Sequence, residues 1–478
     1  MIKPNLLFIA PVMSRSGYGE HARDIVRALI KLDKYDVKIL PIRWGMTPLN
    51  ALKEGIDNDL LSRIMNNPQL PKKPELCIQL TVPNEFQPIG EFNIGITAGI
   101  ETNLCSAQWL EGLNRMNFTI VPSNFSKMVF EGTVFTQQDN NTKQIVSQLK
   151  CNKPIHVLFE GANTSIYYKT ENIPTKIRKE LNNISEDFAF LFVGHWLNGQ
   201  LGADRKDVGM LVKTFLETFK NRKKKPALLL KTGNTFSYMD RLELTSKITD
   251  IKKSMVGDLP NIYIIFGELT PEEMNGLYNH SKVKAHISFT KGEGFGRPLL
   301  EASLSEKPVM VSGWSGHVDF LPKELAILLP GEIREVHPSA VWNGVIEAQS
   351  KWFNINYSFA SNIMLDVFNR YENYLPNAKV LSEKNKKEFN FDKMVEQLDK
   401  ILTDNVPKFA VKAEIKLPKL PKLKPIGKKI ENQNLNEALK IMKETGSMKM
   451  DDSLREIVKQ EDIQKEEKNN AEEISEKT

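Results

Sequence analysis

Two glutamates eight positions apart, Glu293 and Glu301, flank the run Gly294-Phe295-Gly296-Arg297-Pro298. A carboxylate in a glycine-rich loop can accept hydrogen bonds from sugar hydroxyls, and a loop of this kind at a helix N-terminus offers backbone N–H groups to a diphosphate. Pro298 falls in the first turn of the expected helix, where its fixed φ suits the start and its missing N–H costs nothing. Glu293 can then reach a hydroxylated group from the loop side and Glu301 from the helix. The plain alternative is a solvated loop followed by an amphipathic helix, since Glu301 stands beside Leu299, Leu300 and Ala302.

A diphosphate that departs in a reaction gains negative charge in the transition state, so such a loop needs fixed cations nearby. One candidate is Lys231 at the end of an apolar run. A solvated strand-end lysine explains Lys231 equally well. A second glycine turn, Ser16-Gly17-Tyr18-Gly19, follows the first apolar run. Gly17 and Gly19 permit positive φ and close approach of backbone to a ligand, or simply a tight turn. Asp57-Asn58-Asp59 has the spacing of a metal clamp but lies in a polar connection and is read as solvated. No metal ligand set is expected.

Short apolar runs bounded by turn signals alternate with helical patterns, which predicts an α/β protein with parallel sheets. In the first half strands are expected at Leu6 to Ala10, Val37 to Pro41, Leu76 to Leu80, Asn93 to Thr97, Phe118 to Val121 and Ile155 to Phe159. In the second half they are expected at Phe188 to Val193, Ala227 to Lys231, Ile262 to Phe266, Lys284 to Ser288, Lys307 to Val311 and Ala326 to Leu329. The clearest helix runs from Tyr18 to Leu32. The polar stretch Tyr168 to Glu186 separates the two series, so the expected domains are 1–175 and 185–403. A further amphipathic helix, Phe389 to Leu402, can pack on either.

With 478 residues, 41% hydrophobic and 26% charged, the chain suits two globular domains and an appendage. No apolar run approaches 18 residues, the start is too short for a signal peptide, and Cys77, Cys105 and Cys151 show no zinc spacing. A cytoplasmic protein that is neither exported nor membrane-spanning is expected. Residues 407–429 carry eight lysines against Glu414, whereas 430–478 carry eight basic and thirteen acidic side chains. The body is thus close to neutral despite a net charge of +6, and its charge does not imply polyanion binding. Residues 407–478 read as a Lys/Pro-rich linker and a charged tail unable to offset its ordering entropy.

The Glu293 and Glu301 spacing resembles that of retaining glycosyltransferases of the family-4 type. Other segments are similar in the same order: Ser16-Gly17-Tyr18-Gly19, Glu101-Thr102, Trp109, Val121-Pro122-Ser123-Asn124-Phe125, Glu160-Gly161-Ala162-Asn163, Phe192-Val193-Gly194 and Ser315-Gly316-His317. The resemblance covers most of residues 1–403. It implies the GT-B fold, in which two Rossmann-like domains face one another across a cleft, and a hexosyltransferase using a nucleotide-sugar donor as substrate, with no cofactor. It further implies that Glu293 positions the donor hexose, Glu301 binds the ribose hydroxyls, and the backbone of Gly294, Phe295 and Gly296 lies along sugar and phosphate. The Gly17 and Gly19 turn would face the cleft.

Lys206 matches the family's lysine, but His195 stands where the family has arginine, and Arg205 is the candidate to supply that charge. Lys231 would be a third donor-binding cation, and the base would lie near Gly267 to Leu269. Front-face attack assisted by the leaving phosphate needs no protein general base, although His21 and Glu101 are expected near the cleft. The acceptor is open. An epimerase or phosphorylase on the same scaffold, transfer to a DNA base or other nucleic acid, and a non-catalytic nucleic-acid or sugar-binding protein are the alternatives. The basic tail lacks interleaved aromatics, so at best it would add salt-sensitive attraction to nucleic acid.

Overall fold

The computed structural model describes residues 3–67, 72–138, 145–197, 199–232 and 238–409. The expected tail, from residue 410 onward, lies outside them. Met1–Lys412 forms one compact unit.

Its first half contains the strands β1 (Asn5–Ala10), β2 (Asp36–Pro41), β3 (Leu76–Leu80), β4 (Phe92–Ile96), β5 (Phe118–Val121), β6 (Val134–Gln138), β7 (Ile145–Lys150) and β8 (Ile155–Val157). Six of them form a parallel sheet in the order β2-β1-β3-β4-β5-β8, and β6 with β7 makes a separate antiparallel hairpin. Strands such as β3 (Leu-Cys-Ile-Gln-Leu) are buried along their whole length, as expected where helices cover both faces.

The second half contains β9 (Ala189–Val193), β10 (Ala227–Lys231), β11 (Ile262–Ile265), β12 (Val283–Ser288), β13 (Val309–Ser312), β14 (Ile327–Leu329), β15 (Gly331–Glu335) and β16 (Lys351–Ile355). Its parallel sheet runs β11-β10-β9-β12-β13-β14, the doubly wound order of a Rossmann fold. All twelve expected strands are present, with no end shifted by more than two residues. The two hairpins, β6 with β7 and β15 with β16, were not expected. All five residues of β15 are exposed, so no buried face marks it in the sequence.

Helix Gly17–Leu32 starts where the Ser16 side chain accepts from Gly19 N–H, and stops at Asp33, whose backbone turns left-handed and caps Ile30 and Leu29. Its stripe of Ala22, Ile25, Val26 and Leu29 packs on the first sheet. The stretch Tyr168 to Glu186 is not a bare connection. It carries helix Thr175–Asn182, and Ile173, Ile177, Leu181 and Ile184 join the core of the second sheet.

The helix at the end of the body, Phe391–Asn405, packs on the first sheet although it follows the second in sequence. Met394, Val395, Leu398, Ile401 and Leu402 enter the core around β1, and Lys31 pairs with Asp392 at 2.6 Å. The chain thus returns to its first domain and ties the two halves at both ends. Leu398 is fully buried there. Leu398→Ala is expected to lower the unfolding free energy by about 2–5 kcal/mol in a denaturant titration. A loss under about 1 kcal/mol would show that the returning helix is not part of the first core.

Candidate functional site

In an open parallel sheet, ligands bind where the strand order reverses, outside the carboxyl ends of the two strands at that point. In the first sheet the reversal lies between β1 and β3. The chain leaving β1 makes the Ser14 to Gly19 turn. In the second sheet it lies between β9 and β12. The chain leaving β9 makes the loop 194–207, and the chain leaving β12 makes Phe289 to Gly296. The sequence motifs therefore sit at the two crevices for a topological reason.

Glu293 is the centre of the second crevice. Lys206 Nζ donates to its Oε1 at 2.5 Å, and Arg205 Nη1 stands 3.4 Å from its Oε2. Arg205 also donates to the Gly292 carbonyl at 2.9 Å and lies 3.6 Å from Glu101 of the first domain. Burial alone would push the Glu293 carboxyl up. The charges and hydrogen bonds of Lys206 and Arg205 outweigh burial and hold it down at about 2. Glu293 is therefore ionised at any physiological pH, an acceptor of hydrogen bonds and not a proton donor. Its backbone is fixed as well: Glu293 N–H donates to Ser315 Oγ at 2.9 Å, and Gly316 N–H to the Glu293 carbonyl at 2.9 Å. Ser315 pays for this with φ of 82°, a conformation a non-glycine residue rarely adopts.

Beneath that pair lies a second ion pair. Lys291 Nζ meets Asp207 Oδ2 at 3.1 Å with both side chains wholly buried, and it also donates to Asn354 Oδ1 at 2.5 Å. Tyr357 donates to the same Asp207 oxygen at 2.6 Å. Lys291 N–H further donates to the Arg205 carbonyl at 2.7 Å. The carboxylate loop and the cation loop are thus joined by main chain and by buried charge.

Glu301 is nine-tenths buried. It accepts from Arg297 Nε at 3.0 Å and Tyr278 Oη at 3.3 Å, and burial, opposed by Arg297, raises its carboxyl to about 7. Arg297 also pairs with Asp24 on the first-domain helix. The glycine loop itself presses on the first domain. A Cβ on Gly294 would lie 2.0 Å from the Ala98 carbonyl oxygen, so only glycine permits this approach, and Ser123 Oγ donates to the Gly294 carbonyl at 2.6 Å. Gly296, with φ of 96°, turns the chain into helix Arg297–Ser303.

Several expected residues take different roles. Neither Gly17 nor Gly19 has positive φ. Gly17 is exposed with open space at its Cβ position, whereas Gly19 is required because a Cβ would sit 2.1 Å from the Ser14 carbonyl oxygen, within its own turn. The Phe295 ring is core, 4.9 Å from Phe320 between centroids, so only its backbone can line a site. Lys231 donates to the Gly267 carbonyl at 2.8 Å, at the stretch expected to face a base. His195 is exposed after β9. Asp57 is not solvated but buried and paired with Arg27 at 2.5 Å, whereas Asp59 is exposed as expected, 3.3 Å from the same arginine. His21 is buried and held neutral, burial lowering it to about 3. Sequence reasoning missed Ser315 as an anchor, the Lys291 and Asp207 pair, and Arg297. Only Ser315 had a signal, its place in a recognised glycine turn.

Comparison of the sequence with family models and with curated proteins finds no match. Among solved structures the chain is similar to sucrose-phosphate synthase from Thermosynechococcus elongatus, with 13% identity, a TM-score of 0.55, and coverage of 84% of this chain and 99% of that one. Anabaena HepE in complex with UDP and glucose gives 13% identity, a TM-score of 0.55, and coverage of 84% and 100%. A glycosyltransferase from Rickettsia africae gives 14%, 0.55, and coverage of 84% and 98%. At such identities the likeness establishes the fold: this chain has the GT-B fold, with two Rossmann-like domains.

The buried pair yields a test of how the site is held. Asp207→Asn leaves the Lys291 ammonium buried without its counter-ion, so unfolding should become easier by about 3–5 kcal/mol in a denaturant titration. Unchanged stability would show that Lys291 is not held by Asp207.

Proposed function

We propose that the chain is a retaining hexosyltransferase that uses a nucleotide-sugar donor and needs no metal. The observation that carries this reading is an ionised glutamate and two cations, from separate loops, meeting at a strand-order reversal of a GT-B fold. Glu293 accepts hydrogen bonds from the donor hexose hydroxyls. Arg205 and Lys206 neutralise the diphosphate as its bond to the anomeric carbon breaks, and this interaction strengthens as charge develops, which is what lowers the barrier. In the structure as described these cations lie on Glu293; on donor binding they are shared between the carboxylate and the phosphates. His195, at the end of β9, need not carry the charge of the arginine it replaces, because Arg205 is already in place.

Glu301 binds the ribose and the Gly267 to Leu269 stretch lies along the base. The loop Glu293 to Gly296 contributes backbone groups to sugar and phosphate. A carboxylate held at about 2 is too weak a base to take the acceptor proton, which passes instead to the leaving phosphate in a front-face displacement. The HepE structures were obtained with UDP, UDP-glucose, and UDP with glucose, and this supports the choice of donor class. The acceptor enters from the first-domain loops.

Glu293→Gln and Lys206→Ala are expected to reduce donor turnover by at least about 100-fold with the circular dichroism spectrum unchanged. Turnover of the wild-type chain should survive EDTA. Undiminished turnover in either variant would refute the assignment of these residues, and activity abolished by EDTA and restored by manganese would refute the metal-free mechanism.

A further inference from the structure

Around the Arg297 guanidinium stand four carboxyl groups and a histidine from three stretches of chain. Glu20, His21 and Asp24 come from helix Gly17–Leu32, Glu160 from the segment after β8, and Glu301 from helix Arg297–Ser303. Most of the group is satisfied. Arg297 holds Asp24 and Glu301, Tyr278 donates to Glu301, and Arg23 pairs with Glu20. Two members are not. The Glu160 carboxyl, 6% exposed, has no hydrogen bond or ion pair with any described residue, and His21, 1% exposed, has a buried Nδ1 without a partner.

A buried carboxyl without a hydrogen-bond donor is costly, and such groups mark places where a ligand completes the bonding. Burial, opposed by Arg297, raises Glu160 to about 8. The surroundings also say what kind of ligand fits. Arg297 and Arg23 already face four carboxyl groups, so a further anion is disfavoured, and Glu160, raised to about 8, is uncharged at neutral pH and calls for no cation. A neutral group rich in hydroxyls meets both conditions, because a hydroxyl can both donate to and accept from a protonated carboxyl.

We propose that Glu160, together with Glu301, grips the ribose diol of the donor nucleotide, so that the ribose is held by the crossover segment of the first domain as well as by the second. This rests on the nucleotide-sugar reading above. Glu301 offers its oxygens from the second domain, Glu160 accepts from the other hydroxyl, and His21 completes the polar lining. A nucleotide lacking one hydroxyl then leaves a buried carboxyl unpaired, and the site discriminates ribose from deoxyribose.

The test is calorimetric titration of the full chain with uridine, adenosine and guanosine 5′-diphosphates and with their 2′-deoxy and 3′-deoxy forms. Wild type, Glu160→Gln and Glu160→Ala are compared, with thermal melts as a check on folding. For the preferred base, wild type should bind the ribonucleotide about 10-fold or more tighter than one of the deoxy forms. Glu160→Ala should lose that preference, weakening the ribonucleotide about 10-fold and the discriminated deoxy form less than about 2-fold. Glu160→Gln, which like the protonated carboxyl is neutral and offers an acceptor and a donor, should keep most of the preference. Equal weakening of both forms, or no weakening, would overturn the role of Glu160 and leave the donor assignment standing. Failure of the folded wild type to bind any diphosphate would overturn both.

Discussion

The ammonium of Lys291 has no access to water, and its counter-ion, the Asp207 carboxylate, has none either. Such a pair cannot open without leaving two uncompensated charges in a poorly polarisable interior. Because Lys291 lies two residues before Glu293 and Asp207 immediately follows Lys206, this constraint fixes the relative position of the loops that carry the carboxylate and the cations. Tyr357 and Asn354 brace the pair from β16 and the helix after it. The hairpin of β15 and β16 is therefore support for the site, not decoration on the sheet edge.

A second constraint acts between the domains. Gly294 lies against the Ala98 carbonyl, Arg205 reaches Glu101, and Arg297 reaches Asp24. Each contact joins a residue of the glycine loop or its cation partner to the first domain. The geometry of the carboxylate and cations thus depends on how the two sheets are held together, and the returning helix Phe391–Asn405 contributes to that by anchoring the end of the body in the first core. Packing far from the cleft is connected in this way to the few ångströms that matter within it.

Much of this was legible in the sequence. The inner strands of both parallel sheets are legible as continuous apolar runs because they are buried on both faces, and Glu293 is marked by residue type and by its place after such a run, whereas Lys206 and Arg205 stand out only through the family resemblance. What could not be read was pairing. Lys291 looks like a loop lysine until Asp207, 84 residues away, is brought against it. Likewise Glu301 gives no hint in sequence of Arg297 spanning to Asp24, because that contact exists only once two domains face each other. Gly19 shows the opposite error: its type was read correctly, but the backbone it accommodates is that of Ser14. The hairpins escaped because three of their four strands, β6, β7 and β15, lack a buried face to impose a pattern.

The proposed reaction is transfer of a hexose from a nucleotide with retention of its anomeric configuration. The most direct measurement is nuclear magnetic resonance of the wild-type chain incubated with a panel of nucleotide hexoses, following both nucleoside diphosphate release and the anomer first formed. At least one donor should be consumed, and its product should have the anomeric configuration of the donor. No consumption of any donor by folded protein, or a product of inverted configuration, would contradict the proposal.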